Sequence, residues 1–267
     1  MRFTKMQGLG NDYVYLDCTR QTPADLPGLA RRMSDRHFGV GSDGLICICP
    51  SERGDFCMRM FNADGSEGAM CGNGIRCLGK FVYDKGLTAK RELVIETRAG
   101  LRTLSLVVES GAVRCVTVDM GAPEIGPAIT LSVKGMAYTG VPVSMGNPHF
   151  VVETEDVAGL DLPDIGPVFE HDAHFPDRTN TEFVRVLGRD SVEMRVWERG
   201  SGETLACGTG ACASVAALCA AGRIGPAARV ELLGGSLDVR WDSGTGHIFM
   251  TGPAVTVFEG DWPDGPA

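Results

Sequence analysis

The sequence predicts an α+β protein of two pseudo-symmetric halves. Each half is expected to be a mostly antiparallel sheet wrapped around a central helix, with the active site in the cleft between them. Three observations carry this. Residues recur at a fixed separation of 136 positions. Short alternating or β-branched stretches, punctuated by 36 glycines, read as strands and turns. A helical apolar stripe follows each of two Cys-Gly-x-Gly segments.

The repeat comes first. "GNDYVYLD" at 10–17 matches "GNPHFVVE" at 146–153, and "MRMFNADGSEGAMCGNG" at 58–74 matches "MRVWERGSGETLACGTG" at 194–210. Gly10/Gly146, Asn11/Asn147, Arg59/Arg195, Glu67/Glu203, Cys71/Cys207, Gly74/Gly210 and Gly86/Gly222 share one register. Several separated segments in one register are hard to obtain by chance. The match fades after about residue 90, and "DMGAPEIGP" at 119–127 marks the boundary. The halves are therefore taken as 1–120, holding Cys71, and 121–267, holding Cys207, with the C-terminal tail packing back on the first half.

In chain order, "YVYLDC", "LICICP", "FCMRMF", "ELVIET" and "LSLVVES" read as strands in the first half. "HFVVET", "EFVRVL", "VEMRVW" and "VTVFEG" do so in the second. Ile75, Leu78, Phe81 and Val82 form a helix stripe ending at Gly86, and Ala211, Val215, Leu218 and Cys219 one ending at Gly222. The strand–helix–strand alternation of a dinucleotide-binding unit is missing, so a lone Gly-x-Gly carries little weight as a nucleotide signal.

Net charge of -9 argues against nucleic acid as a partner. No apolar run suits a signal peptide or a membrane span, so the expected location is the cytoplasm, with no membrane partner. Ten cysteines in such a protein are read mostly as buried small apolar groups. No metal is expected: there is no CxxC, and Cys47 and Cys49 are read as facing opposite sides of a strand.

Cys71 and Cys207 are different, because each stands at a predicted helix start before a Gly-x-Gly. Unpaired N–H groups and the helix dipole there favour anions and stabilise a thiolate. Two such sulfurs flanking one cleft suit inversion at the Cα of an amino acid. One takes the α-proton from one face, and the other delivers a proton to the opposite face. The N–H groups around the carboxylate would stabilise the carbanion. Only five lysines occur and none stands out as a pyridoxal phosphate anchor, so no cofactor is expected. A non-catalytic thiol-redox or ligand-binding protein is the alternative from another class.

These segments also resemble a known family. "NADGSEGAMCGNGIRC" and "ERGSGETLACGTGACA" are similar to the two signature segments of the diaminopimelate epimerases, and "GLGNDYVYLD", "RHFGVGSDGL", "GNPHFV" and "RTNTEFV" to its other motifs in the same order. Proline racemases and hydroxyproline epimerases tend to carry histidine where this chain has Asn73. The resemblance implies a pyridoxal-phosphate-independent isomerase that interconverts LL- and meso-2,6-diaminoheptanedioate in lysine and peptidoglycan precursor synthesis, acting as a homodimer.

It also implies roles. Cys71 and Cys207 would be the acid/base pair, supported by His149 and Glu198. Gly72, Asn73, Gly208 and Thr209 would bind the reacting carboxylate. Asn62, Asn180, Glu198 and Arg199 would read the distal end, where Arg199 suits a carboxylate and Glu198 an ammonium. Asn11 and Asn147, twins in the repeat, would line the cleft. Gly44 stands where many relatives have glutamine, which leaves only its backbone for contact.

Overall fold

The structure, a computed structural model, describes residues 1–263. The chain forms two compact units. One comprises Met1–Val118 with the C-terminal stretch from Gly252, the other Asp119–Thr251.

In the first unit, strand Arg2–Gly8 pairs antiparallel with Asn11–Asp17 on one side and with Val255–Asp261 on the other. Asn11–Asp17 runs parallel to Gly44–Cys49, which pairs antiparallel with Phe56–Asn62. Phe56–Asn62 lies parallel to Glu92–Thr97, and antiparallel pairings through Gly100–Glu109 and Ala112–Gly121 complete the sheet. Helix α1 spans Leu26–Ser34 and helix α2 spans Gly72–Asp84.

The strands between these helices are buried on both faces, which explains their apolar runs. Val14, Leu16, Leu45, Cys47 and Cys49 join Leu26, Leu29, Ala30 and Met33 of α1 in one core. Tyr15, on the other face, stacks on Phe81 of α2 with ring centroids 6.3 Å apart, and its hydroxyl donates to Gly74 O at 2.9 Å. Cys47 and Cys49 thus share a face, contrary to the expectation above: alternate residues of a strand point the same way.

The second unit repeats this plan. Met136–Ser144 pairs antiparallel with Ile129–Val133 and with Pro148–Glu153. Pro148–Glu153 runs parallel to Asn180–Gly188, and Ser191–Glu198 follows antiparallel. Ala227–Leu232 lies parallel to Ser191–Glu198 and leads antiparallel into Gly235–Trp241 and Ile248–Pro253. Helix α3 spans Leu162–Glu170 and helix α4 spans Gly208–Ala220. Phe150, Val152 and Phe183 pack with Leu162, Ile165 and Phe169 of α3.

All four helices obey the separation of 136, and the twin strands continue past residue 90, where the sequence match fades. Helices α1 and α3 are additions to the expected elements. Each begins with Asp-Leu-Pro, at 25–27 and at 161–163. Asp25 accepts from Gly28 N at 2.8 Å and Asp161 from Asp164 N at 3.2 Å, with proline in the first turn, where its missing N–H is no loss. Both central helices stop alike. Gly86 at φ 70° and Gly222 at φ 69° take the left-handed conformation just past the last turn.

Candidate active site

In the first unit Cys71 caps α2. Its sulfur accepts from Gly74 N at 3.3 Å and lies 3.3 Å from Asn11 Oδ1. Asn11 is oriented by Asp43, whose Oδ2 accepts from Asn11 Nδ2 at 2.8 Å, so the amide oxygen is the atom turned to the sulfur. The fully buried Arg76 braces the helix start by donating to Gly72 O at 3.1 Å and to Asn73 Oδ1 at 2.9 Å. Tyr13 completes the wall. Burial, reinforced by the charge of Cys71, holds its phenol well above the ordinary tyrosine range.

Gly44 lies between Tyr13 and Asn62 in strand register. A Cβ there would sit 2.1 Å from Phe61 O and 2.8 Å from Tyr13 Cε1, so the position excludes any side chain without a backbone shift. Asn62 is exposed, and its amide donates to Ser66 Oγ at 2.9 Å.

In the second unit Cys207 caps α4 and accepts from Gly210 N at 3.4 Å. Thr209 Oγ1 is 3.5 Å from the sulfur, and Asn147 Nδ2 is 3.5 Å from that hydroxyl. His149 Nε2 lies 3.2 Å from Asn147 Oδ1, and His149 Nδ1 lies 2.7 Å from Glu182 Oε1. The His149 and Glu182 side chains are wholly buried. Glu198 accepts from the Thr204 hydroxyl and interacts with the Cys207 thiol. Desolvation raises the Glu198 carboxyl above its ordinary value, against those two hydrogen bonds.

A helix start alone would lower the Cys207 pKa. The structure reverses this. Burial pushes the thiol well above its ordinary value, and the charges of Glu198 and Glu182 push it further, outweighing the Thr209 and Gly210 hydrogen bonds. Cys207 is therefore held as the thiol at neutral pH, with the Glu198 carboxyl beside it.

Asn180 is buried. Its Nδ2 donates to Pro148 O at 3.0 Å and its Oδ1 accepts from Arg199 N at 2.9 Å. The Arg199 guanidinium donates to Asp177 O at 2.7 Å, while Arg195 is committed to Glu203 at 2.7 Å. A pocket of about 240 Å³ in this unit is lined by Asn147, Pro148, Phe175, Asp177 and Arg178, among others.

The structure thus gathers Asn11, Gly72 and Asn73 at Cys71, and Asn147, His149, Glu198, Gly208 and Thr209 at Cys207. Asn62 bonds instead to Ser66, and the Arg199 guanidinium to the Asp177 carbonyl. Tyr13, Asp43 and Glu182 escaped the sequence reading. The repeat contains the signal for two of them. Tyr13 is the twin of His149, and Glu182 is the twin of the apolar Ile46, a carboxylate where symmetry calls for a hydrocarbon. Among the described residues no group of three or more His, Cys, Asp or Glu is placed to hold a metal. No helix there is long and apolar enough to cross a membrane.

Paired units of this topology define a fold class shared with solved epimerase and isomerase-like structures. A phenazine biosynthesis protein of Bacillus anthracis superposes with a TM-score of 0.73 at 19% identity, over 97% of each chain. A hydroxyproline epimerase of Agrobacterium vitis, solved with trans-4-hydroxy-L-proline, superposes with a TM-score of 0.72 at 16% identity, over 97% of this chain and 90% of its own. The profile described as diaminopimelate epimerase matches residues 3–126 and 141–257. The diaminopimelate epimerase of Desulfovibrio desulfuricans is 52% identical over 282 aligned residues, covering 98% of each chain. The chain belongs to the diaminopimelate epimerase family.

Proposed function

We propose that this protein is a diaminopimelate epimerase that inverts one Cα by a two-cysteine mechanism without pyridoxal phosphate. The observation that carries the proposal is the matched pair of helix-capping cysteines, Cys71 and Cys207, each accepting an N–H from the glycine three residues on. Family membership supplies the substrate, and the paired caps supply the chemistry.

The substrate carboxylate lies against the N–H groups at the starts of α2 and α4, with Gly72, Asn73, Gly208 and Thr209 around it. One sulfur, as thiolate, takes the α-proton. The C–H electron pair remains on Cα and spreads into the carboxylate, where the N–H donors stabilise it. The other sulfur, as thiol, gives its proton to the opposite face and is left as thiolate. The reverse reaction exchanges the roles, so the enzyme must hold one proton between two sulfurs. Glu198 takes the Cys207 proton when that sulfur must act as base, and His149 orients the groups beside it. Asn11 and Asn147 line the substrate. Asn62, Asn180, Glu198, Arg199 and the Gly44 backbone read the distal amino acid end.

Independence from pyridoxal phosphate is supported by the lysines. Each of the five is ion-paired, with Asp12, Asp84, Glu259, Asp55 and Asp164 in turn, and an ammonium facing a carboxylate is a poorer nucleophile than the neutral amine a Schiff base needs. The reading also takes the unit Met1–Val118 with the stretch from Gly252, and the unit Asp119–Thr251, as two copies contributing one sulfur each, in a cytoplasmic homodimer serving lysine and peptidoglycan precursor synthesis.

The test is conversion of LL-diaminopimelate to the meso isomer, followed by chiral chromatography with no cofactor added. Conversion by the native chain, lost in both Cys71→Ala and Cys207→Ala, is the expected result. Conversion that survives either change would overturn the mechanism. Inertness towards diaminopimelate with exchange of proline would overturn the substrate.

A further inference from the structure

The first and second cysteines differ in what surrounds them, and one buried carboxylate near Cys207 has no counterpart near Cys71. Glu182 lies on the face of its strand that packs on α4. Its Oε1 meets His149 Nδ1 at 2.7 Å, while its buried Oε2 has no hydrogen-bond partner. Gly210 makes room for it: a Cβ there would sit 2.5 Å from Glu182 Oε1. In the first unit the same place is filled by Ile46, whose Cδ1 would be 2.6 Å from a Cβ on Gly74. The carboxylate is therefore not needed to fill space.

Proton placement along the chain follows from the hydrogen bonds. The Asn147 amide turns Nδ2 to Thr209 Oγ1 and Oδ1 to His149 Nε2. An acceptor facing Nε2 requires the proton to be on Nε2. The 2.7 Å bond between Nδ1 and Oε1 holds the ring in that orientation. Thr209, accepting from Asn147, has its own hydrogen left for Cys207 Sγ, 3.5 Å away. Every bond in the series His149, Asn147, Thr209 then donates toward the Cys207 sulfur. Cys71 has the opposite neighbour, an amide oxygen held in place by Asp43.

We propose that Glu182 is a positioning residue: it fixes His149 in the form protonated on Nε2 and so directs three successive donors at the Cys207 sulfur. The proposal rests on Cys207 acting as an acid/base group. Glu198 and Cys207 are ionisable groups that interact with the pair.

The direct test is ¹⁵N NMR of the imidazoles in the substrate-free protein, with the His149 signals assigned by their loss in His149→Gln. A protonated Nε2 is expected in the native chain at neutral pH. A bare Nε2 there would overturn the proposal with no variant needed. Two variants extend the test. Glu182→Gln keeps a hydrogen-bonding partner for Nδ1, and Glu182→Ile copies the twin position. Glu182→Ile is expected to release the tautomer and lower kcat by roughly 10–100-fold with KM little changed. Glu182→Gln should keep the Nε2 proton and most of kcat. Equal loss of kcat in both variants, or a native kcat in Glu182→Ile, would overturn the proposal. The NMR arm needs no substrate, so a wrong substrate assignment would show as lost turnover with the tautomer intact.

Discussion

Replacing Gly210 by alanine should damage the protein far more than the same change at its twin, Gly74. Both lie in the first turn of a buried helix, where alanine would otherwise gain up to about 1 kcal/mol of helix propensity. At Gly74 the new methyl meets the end of the Ile46 side chain at 2.6 Å and Met58 Cε at 3.3 Å, both of which can swing aside. Crowding of that kind costs about 1–3 kcal/mol, so the net change is about 0–2 kcal/mol. At Gly210 the methyl meets Glu182 Oε1 at 2.5 Å and its Cδ and Cγ at 3.1 Å. That oxygen holds the 2.7 Å bond to His149, and Oε2 has no bond to fall back on. Breaking a buried pair costs about 3–5 kcal/mol, which leaves a net loss of about 2–4 kcal/mol. In a chain of this size that is a melting temperature lower by roughly 5–15 °C. Calorimetry on both variants, and on Gly210→Ala in a Glu182→Ile background, is the assay. In that background Gly210→Ala should cost no more than Gly74→Ala does in the native chain. Equal melting of Gly210→Ala and Gly74→Ala in the native chain would refute the reasoning.

Arg195 holds Glu203 through two nitrogens, at 2.7 and 3.1 Å, and donates to the carbonyls of Val157, Ala158 and Leu160. Its twin Arg59 is more exposed, with one 2.8 Å bond to Glu67. Arg195→Met should therefore cost about 2–4 kcal/mol and Arg59→Met about 0–1 kcal/mol in urea titrations; similar values would contradict the account. Gly44→Gln should lower stability by more than about 2 kcal/mol, because the obstacle to its Cβ is the Phe61 carbonyl, and an unchanged urea midpoint would exclude that clash. Burial pushes the Cys77 thiol up to about 11. The folded chain thus holds this proton more tightly than the unfolded one, so the contribution is complete below the unfolded value of about 8.5 and is lost as pH rises through about 11. It amounts to about 3 kcal/mol, and the alkaline fall in stability should be shallower in Cys77→Ala; an identical slope would exclude it.

The sequence contained the repeat, the central helices and the two sulfurs because each follows from spacing. Position 71 plus 136 is 207 whatever the fold does. The short helices α1 and α3 were harder to see. Nine residues containing glycine and proline carry a weak period, and α3 has Pro167 inside it. Their signal lay in Asp-Leu-Pro, a cap and a first-turn proline recurring in register. The strand order past residue 90 was not legible, since the twin strands there keep their pattern of burial rather than their residues. The state of Cys207 was not legible for a similar reason. A helix start is visible in a sequence, but the carboxylates at 182 and 198 approach it only through strand pairing. Glu182 escaped notice because "NTEFV" reads as an ordinary strand, and only comparison with Ile46 makes its charge conspicuous.

The central claim is that two different sulfurs serve the two faces of one carbon. The most direct measurement is proton NMR and mass analysis of LL-diaminopimelate and its meso product during the first few per cent of reaction in deuterium oxide. A thiolate that takes the substrate proton can return only that proton, whereas the opposing thiol carries solvent deuterium. The account predicts deuterium at Cα of the newly formed meso isomer and none in the recovered LL isomer. Deuterium entering both isomers at equal rates would mean that one group serves both faces, and would contradict it.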